Sequence, residues 1–232
     1  MKTVIFLPTY NEKENIADLV GEILKLDAGF YVLVVDDNSE DGTAEVLKQL
    51  VRQHHPRVIA VHRSGKRGRG ISGREGFKRC LLEKPDFIIE MDADFSHDPK
   101  LIPAFLKEIN DCDVVIGSRF INGGGSCGRP RYRDYLSIFA QFLSRVILGL
   151  KIKDATSGFR CFKRRVLESV DFDSFYAQGP AVVEELNYHL QARGFKIKEI
   201  PITFRQRRSG RSKLDFLKLM QVFYTLIRIR LA

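Results

Sequence analysis

The alternation of short apolar runs with amphipathic stretches constrains this chain more than any other feature. The runs "TVIFLPTY" (3–10), "YVLVVDD" (31–37), "RVIAVHR" (57–63), "FIIEMDAD" (87–94) and "DVVIGSR" (113–119) read as strands. Helical periodicity fills the gaps: 12–26, where Ile16, Leu19, Val20, Ile23 and Leu24 share one face, then 41–55, "ISGREGFKRCLL" (71–82) and 99–109, with Pro99 near the first turn. This succession predicts an α/β fold: an open, mostly parallel, Rossmann-like sheet with helices on both faces. Ligands of such sheets bind beyond the carboxyl ends of the strands. Polar residues gather at that edge. The first run ends at Pro8, Tyr10 and Glu12, the second at Asp36-Asp37, the fourth at Asp92 and Asp94, and the fifth at Arg119. A lone acid at a strand end is usually a turn residue or a helix cap. Acids or an arginine at four strand ends along one edge point instead to a site.

The second half is less regular. "INGGGSCGRPRYR" (121–133), rich in Gly and Arg, reads as a mobile loop. Residues 133–150 read as a helix whose polar members, Arg133, Ser137, Gln141 and Ser144/Arg145, recur at helical spacing amid apolar neighbours. "VVEELNYHL" is helical as well. Glu185 within it either orients basic groups near the site or is a surface acid. "FKIKEIPITF" (195–204) reads as a strand, "RQRRSGRSK" (205–213) as a basic segment, and 214–232 as an amphipathic helix. In that helix Lys218, Gln221, Thr225 and Arg228 lie opposite Phe216, Leu219, Met220, Phe223 and Ile227.

A length of 232 residues suits one large domain with a real core. Cys80, Cys112, Cys127 and Cys161 are widely spaced without a C-x-x-C pair, which predicts free thiols in a reducing compartment. The opening apolar run is too short for a signal-peptide core, and no stretch approaches the ~20 apolar residues of a membrane span. The formal charge of +9 suits an anionic partner such as a nucleotide, a phosphorylated lipid, an acidic membrane surface or nucleic acid. The basic segments lack the aromatic interleaving of a nucleic-acid interface, so no nucleic-acid partner is expected.

Two carboxylates one residue apart at a strand end can share one divalent cation. Mg²⁺ and Mn²⁺ prefer hard oxygen ligands and are commonly held by one or two carboxylates plus substrate phosphates. Asp92 and Asp94 therefore suit a metal–diphosphate clamp. Ser96, which alternates with them, is better placed as a third ligand than His97. Asp37 can accept hydrogen bonds from a ribose or base. No G-x-G-x-x-G follows the first strand, and "GKRGRG" (65–70) lacks the G-K-[ST] ending of a phosphate loop, although Lys66, Arg67 and Arg69 could reach a phosphate.

"LPTYNEKENI", "VVDDNSEDGT", "MDADFSHDP", "GSRF", "TSGFR" and "SGRSK" occur in the order seen in family-two glycosyltransferases of GT-A fold. Over residues 3–215 the chain resembles dolichyl-phosphate mannose synthases and their polyprenyl-phosphate relatives. The resemblance implies a GT-A domain over 1–213, followed by the 214–232 helix. It implies inverting transfer of a hexose, typically mannose from GDP-mannose, to dolichyl or another polyprenyl phosphate, with Mg²⁺ or Mn²⁺ as cofactor. By position it puts Pro8, Tyr10, Glu12, Val35 and Asp37 around the nucleotide, and Asp92, Ala93 and Asp94 at the metal and diphosphate. Arg119 matches an arginine facing the phosphates, Arg133 and Ser137 a pair at the acceptor phosphate, and Arg207 and Lys213 a C-terminal basic pair. Asp94, Arg119, Arg133 and Ser137 are the expected catalytic residues. The pattern departs from the family at Gln206, which replaces an aspartate, at Val183 and Glu184, and at Arg67 and Arg69, where relatives often carry apolar residues.

A phosphate monoester has a second pKa near ~6 and is largely a dianion at pH 7, so the acceptor needs no strong base. The difficulty is bringing two anions together, which arginines and a metal address. Arg129, Arg131 and Arg205, less patterned, read as a solvated basic face. A polyprenol stays in its bilayer, so peripheral attachment to the cytoplasmic face of a membrane is expected, either through the apolar sides of 133–150 and 214–232 or through a membrane-anchoring partner. A UDP-sugar-dependent glucosyltransferase or other hexosyltransferase is the related alternative. A non-catalytic sugar-nucleotide binder or a nucleic-acid binder is the alternative of a different class.

Overall fold

The computed structural model describes residues 1–128, 130–206, 208 and 216–231, without the side chains of residues 131, 133 and 216–219. The first half runs β1 (Thr3–Thr9), α1 (Ile16–Leu26), β2 (Phe30–Asp36), α2 (Thr43–His54), β3 (Val58–His62), α3 (Arg69–Leu82), β4 (Phe87–Glu90), α4 (Ile102–Glu108) and β5 (Val114–Ser118). The second runs β6 (Gly125–Cys127), α5 (Arg131–Leu148), β7 (Arg160–Lys163), α6 (Arg164–Glu168), α7 (Val182–Ala192), β8 (Ile197–Pro201), β9 (Thr203–Arg205) and α8 (Phe216–Leu231).

Seven strands form the main sheet in the order β3-β2-β1-β4-β7-β5-β8. β7 is antiparallel to both of its neighbours, so β4 and β5 still run the same way. The carboxyl ends of β1, β2, β3, β4, β5 and β8 therefore share one edge. Period-two alternation divides each buried strand between two cores. Val4, Phe6, Leu33 and Val35 pack with Phe77 of α3, Leu148 of α5, Leu186 of α7 and Leu226 of α8. Ile5, Leu7, Val32 and Val34 pack with Leu19 of α1, Leu47 of α2 and Phe105 of α4. Gly76 sets the depth of α3, since a Cβ there would fall 2.1 Å from the Phe6 ring.

Three expectations need correction. The 121–133 segment is not wholly loop: β6 pairs in parallel with β9, and α5 begins at Arg131. The 195–204 strand breaks at Ile202, whose buried side chain and N–H bond to the Ser118 carbonyl (3.0 Å) hold it to the main sheet while β9 leaves for β6. β7 was not anticipated, because Arg160 and Lys163 flank its two apolar residues and disguise a central strand.

The helix α5 is amphipathic with its polar side inward. Gln141 is buried, donates to the Lys153 carbonyl and accepts the Ala155 N–H (2.8 Å). Ser144 is buried and bonds the Ala140 carbonyl (2.9 Å) and Glu184 (3.3 Å). Tyr132, Tyr135, Leu136, Ile138, Phe139, Phe142 and Val146 are exposed, Phe142 at 59% and Val146 at 63%. α8 packs beside α5. Its core-facing stripe is Val222, Leu226 and Ile229 rather than the expected apolar set, of which Met220, Phe223 and Ile227 stay exposed. Phe216, Lys218 and Leu219 have side chains outside the described residues.

Candidate active site

At the first two strand ends the chain is tied closely. The Asp37 N–H bonds the Thr9 carbonyl (2.8 Å). Its buried carboxylate accepts the Gly68 N–H (2.7 Å) at the start of α3 and pairs with Arg63, which also donates to Glu75 (2.7 Å). Arg67 lies 5.0 Å over the Tyr10 ring, donates to its hydroxyl (3.1 Å) and to the Asn38 carbonyl (3.1 Å), and pairs with Glu40. Glu12 accepts from the Asn15 side chain (2.8 Å), and its N–H bonds Thr43 Oγ1 (3.1 Å). Pro8 and Val35 are buried within their strands, Val35 with its side chain in the core.

β4 delivers the acidic pair. The Asp92 carboxylate is about one-third exposed, Asp94 is buried, and the Ala93 side chain between them points into the core. Asp94 Oδ1 accepts the Ser96 N–H (3.0 Å), and Phe95 between them has φ +61°, a left-handed conformation disfavoured for a bulky residue. Ser96 Oγ is buried with no hydrogen-bond partner among the described residues. His97 is buried and stacked on Phe159 (5.0 Å); its Nδ1 accepts the Asp92 N–H (3.0 Å), which leaves the proton on Nε2. Burial lowers its pKa and favours the neutral ring, against the charges of Asp92 and Asp94; Arg119 and Glu90 are also within electrostatic reach.

A layer of charge lies beneath. Glu90 is fully buried and accepts from Arg160 Nε (3.0 Å) and Arg69 Nη2 (2.7 Å). Burial would raise its pKa, but Arg160 and Arg69 outweigh that and hold it below the ordinary value. Arg119 is locked by a bidentate pair with the buried Asp154, through Nε (2.8 Å) and Nη2 (2.7 Å), and by Thr156 (2.6 Å). From the sequence, Arg69 reads only as a cation that could reach a phosphate, and Glu90, Asp154 and Arg160 are not singled out. The signal was Glu90 itself, since a carboxylate inside a doubly buried strand demands a buried cation.

The segment after β8 is tied to the Asp94–Ser96 turn and to β6. The Arg205 N–H bonds the Ser96 carbonyl (3.0 Å), Gln206 the Cys127 carbonyl of β6 (3.0 Å), and Arg208 the Asp94 carbonyl (3.1 Å). Ser137 is half-buried on α5, one turn after Arg133. The Arg133 side chain, Arg207 and Lys213, as well as Arg129 and the Arg131 side chain, lie outside the described residues. Glu185 has neither expected role: it is buried and accepts the N–H groups of Tyr176 (2.7 Å) and Ala177 (2.8 Å).

Asp92, Asp94 and Ser96 present only hard oxygen donors, and the unpartnered Ser96 Oγ suits a cation. Among the described residues no group of three or more His, Cys, Asp or Glu could hold a metal. A cation here would need oxygens from a ligand such as a diphosphate. Residues 4–171 match the model of glycosyl transferase family 2. The chain belongs to this family. It is a glycosyltransferase with a GT-A-like fold. It is 36% identical over 92% of its length to the polyprenol monophosphomannose synthase of Mycolicibacterium smegmatis, covering 81% of that protein. It is 34% identical over 93% of its length to the undecaprenyl-phosphate mannosyltransferase of Micrococcus luteus, covering 88% of it. Among solved structures it is similar in fold to a glucosyl-3-phosphoglycerate synthase of Mycobacterium tuberculosis in complex with Mn²⁺, UDP and phosphoglyceric acid. There the TM-score is 0.71 at 19% identity, covering 99% of this chain and 78% of that one.

Proposed function

We propose that this glycosyltransferase moves mannose from GDP-mannose to the phosphate of a polyprenol, with inversion, giving polyprenyl phosphate mannose. The observation that carries the acceptor class is α5. Gln141 and Ser144 face the protein, while Tyr135, Ile138, Phe139, Phe142 and Val146 remain in solvent. An apolar patch of that kind suits a membrane surface. The names of the curated relatives support mannose as the sugar and a polyprenyl phosphate as the acceptor.

The acceptor phosphate, a dianion near pH 7, is its own nucleophile. One of its oxygens attacks the anomeric carbon from the face opposite the diphosphate. The bond from that carbon to the diphosphate oxygen breaks, and GDP leaves. In this reading Tyr10, Glu12 and Asp37 bind the nucleotide, with Arg207 and Lys213 as further basic groups. Arg133 and Ser137 bind the acceptor phosphate with Arg119, whose orientation Asp154 fixes. Asp92, Asp94 and Ser96 would hold Mg²⁺ or Mn²⁺. When bound, the ion would neutralise charge on the leaving diphosphate. No helix among the described residues is long and apolar enough to cross a membrane. Attachment at the cytoplasmic face would therefore run through α5 and α8 or through a membrane-anchoring partner.

The test is a panel of GDP- and UDP-sugars with a short polyprenyl phosphate and Mn²⁺. Transfer from GDP-mannose is expected. Preference for UDP-glucose would move the reading to a glucosyltransferase, and transfer from no sugar nucleotide would overturn it.

A further inference from the structure

The line of charges running from Arg160 to Asp92 has a member that the reaction above leaves without a role. Arg160 and Glu90 face each other across β7 and β4, both fully buried, and one arginine already neutralises that carboxylate. Arg69, the first residue of α3, is a second cation on Glu90 (Nη2, 2.7 Å), and the same nitrogen lies 3.8 Å from Asp92 Oδ1. Its other terminal nitrogen, Nη1, is buried with no hydrogen-bond partner among the described residues. Leaving a charged donor unsatisfied is costly. Glycines line the guanidinium on two sides. A Cβ at Gly73 would sit 3.3 Å from Nη1, and one at Gly158 would sit 3.6 Å from Nη2 and 3.3 Å from Asp92 Oδ1. A guanidinium is thus fitted beside a carboxylate of the proposed metal site at the expense of one of its own hydrogen bonds.

With Glu90 and Arg160 cancelling, Arg69 leaves Asp92 and Asp94 with a net of one negative charge instead of two. A divalent cation arriving alone meets a halved attraction and a fixed positive charge next to one ligand. A nucleoside diphosphate brings negative charge that Arg69 attracts through the same partly buried medium. We propose that Arg69 makes cation binding conditional on the nucleotide: the free ion binds the acidic pair weakly, and the ion–diphosphate complex binds it tightly. Arg69 is a positioning residue, acting through Asp92 and Glu90. Coupling of this kind is reciprocal, so the cation tightens the nucleotide by the same factor as the nucleotide tightens the cation.

The inference rests on the reading of Asp92 and Asp94 as the metal–diphosphate site. The experiment measures Mn²⁺ binding to the full chain by electron paramagnetic resonance, with and without GDP, for wild type, Arg69→Gln, Arg69→Met and Arg69→Lys, with circular dichroism to verify the fold. Loss of the charge in either neutral variant should tighten Mn²⁺ binding to the nucleotide-free protein by about tenfold or more and shrink the gain that GDP brings. Arg69→Lys, which keeps the charge, should behave as wild type. Mn²⁺ affinity that is unchanged or weaker in folded neutral variants, while wild type binds Mn²⁺ with GDP, would overturn the role of Arg69 alone. Absence of Mn²⁺ binding to wild type even with GDP would overturn the metal site and this inference with it.

Discussion

The sheet edge that carries Asp37, Asp92 and Asp94 and the surface formed by α5 and α8 place charged and apolar side chains in opposite ways. At the edge, charge is buried in fixed pairs: Glu90 between two arginines, Asp37 on Arg63, Asp154 on Arg119. On α5, Gln141 and Ser144 anchor the helix inward while Tyr135, Ile138, Phe139, Phe142 and Val146 face out. On the proposed function, a sugar nucleotide comes from water with its own charge and would meet the preset electrostatic frame of the edge. On the same proposal, a polyprenol phosphate stays in its bilayer, and the apolar outer side of α5 would lie at headgroup depth. Arg205 and Arg208 donate to the Ser96 and Asp94 carbonyls, while β9 and Gln206 bond β6, the strand that precedes α5 in the chain.

This contrast can be broken most sharply at Asp94. Asp94→Ala should lower transfer by about a thousandfold or more with the fold intact, measured as turnover at saturating Mn²⁺ beside a circular dichroism spectrum. Full turnover would remove the clamp. Glu90→Ala, which leaves two arginines facing an empty buried site, should cost about 3–5 kcal/mol in urea unfolding; a loss under about 1 kcal/mol would mean that the charged floor relaxes freely.

Glu184, buried against Ser144 of α5, has its pKa pushed up to about 7 by burial, against a usual 4.5. Between those values the folded chain holds a proton that the unfolded chain has released. Stability should therefore fall by about 3 kcal/mol as pH rises from 4.5 to 7 and stay flat above. Unfolding curves at pH 5 and pH 8 should show that part of the slope vanish in Glu184→Gln; an unchanged slope would refute the assignment. The smallest effect on stability separates the two regions directly. Phe105→Ala, in the core, should cost about 3–5 kcal/mol, and Phe142→Ser, on the outer side of α5, within about 0.5 kcal/mol. Comparable costs would mean that the outer side of α5 is covered.

Much of the fold at the sheet edge was legible because it obeys local rules. The period-two and 3.6-residue patterns place β1 through β5 in order, and the strand ends gather Tyr10, Asp37, Asp92 and Arg119 along one edge. Asp154 and Arg160 were missed because each takes its role from a partner distant in sequence, Arg119 for Asp154 and Glu90 for Arg160; Arg69 was read only as a cation that could reach a phosphate, without its tie to Glu90. Periodicity also identified the two stripes of α5 but not which one faces inward. That depends on Lys153 and Ala155, in a loop with no periodic signal, supplying partners for Gln141.

The division between a charged donor frame and a lipid-facing acceptor surface is tested most directly by one transfer assay. Mannose transfer from GDP-mannose is measured for wild type and for Phe139→Ser/Phe142→Ser with two acceptors, a long-chain polyprenyl phosphate in vesicles and a short water-soluble one. The double variant should lose about tenfold or more with the vesicle acceptor and stay within about twofold of wild type with the soluble one. Equal loss on both acceptors, or no loss on either, would contradict the account.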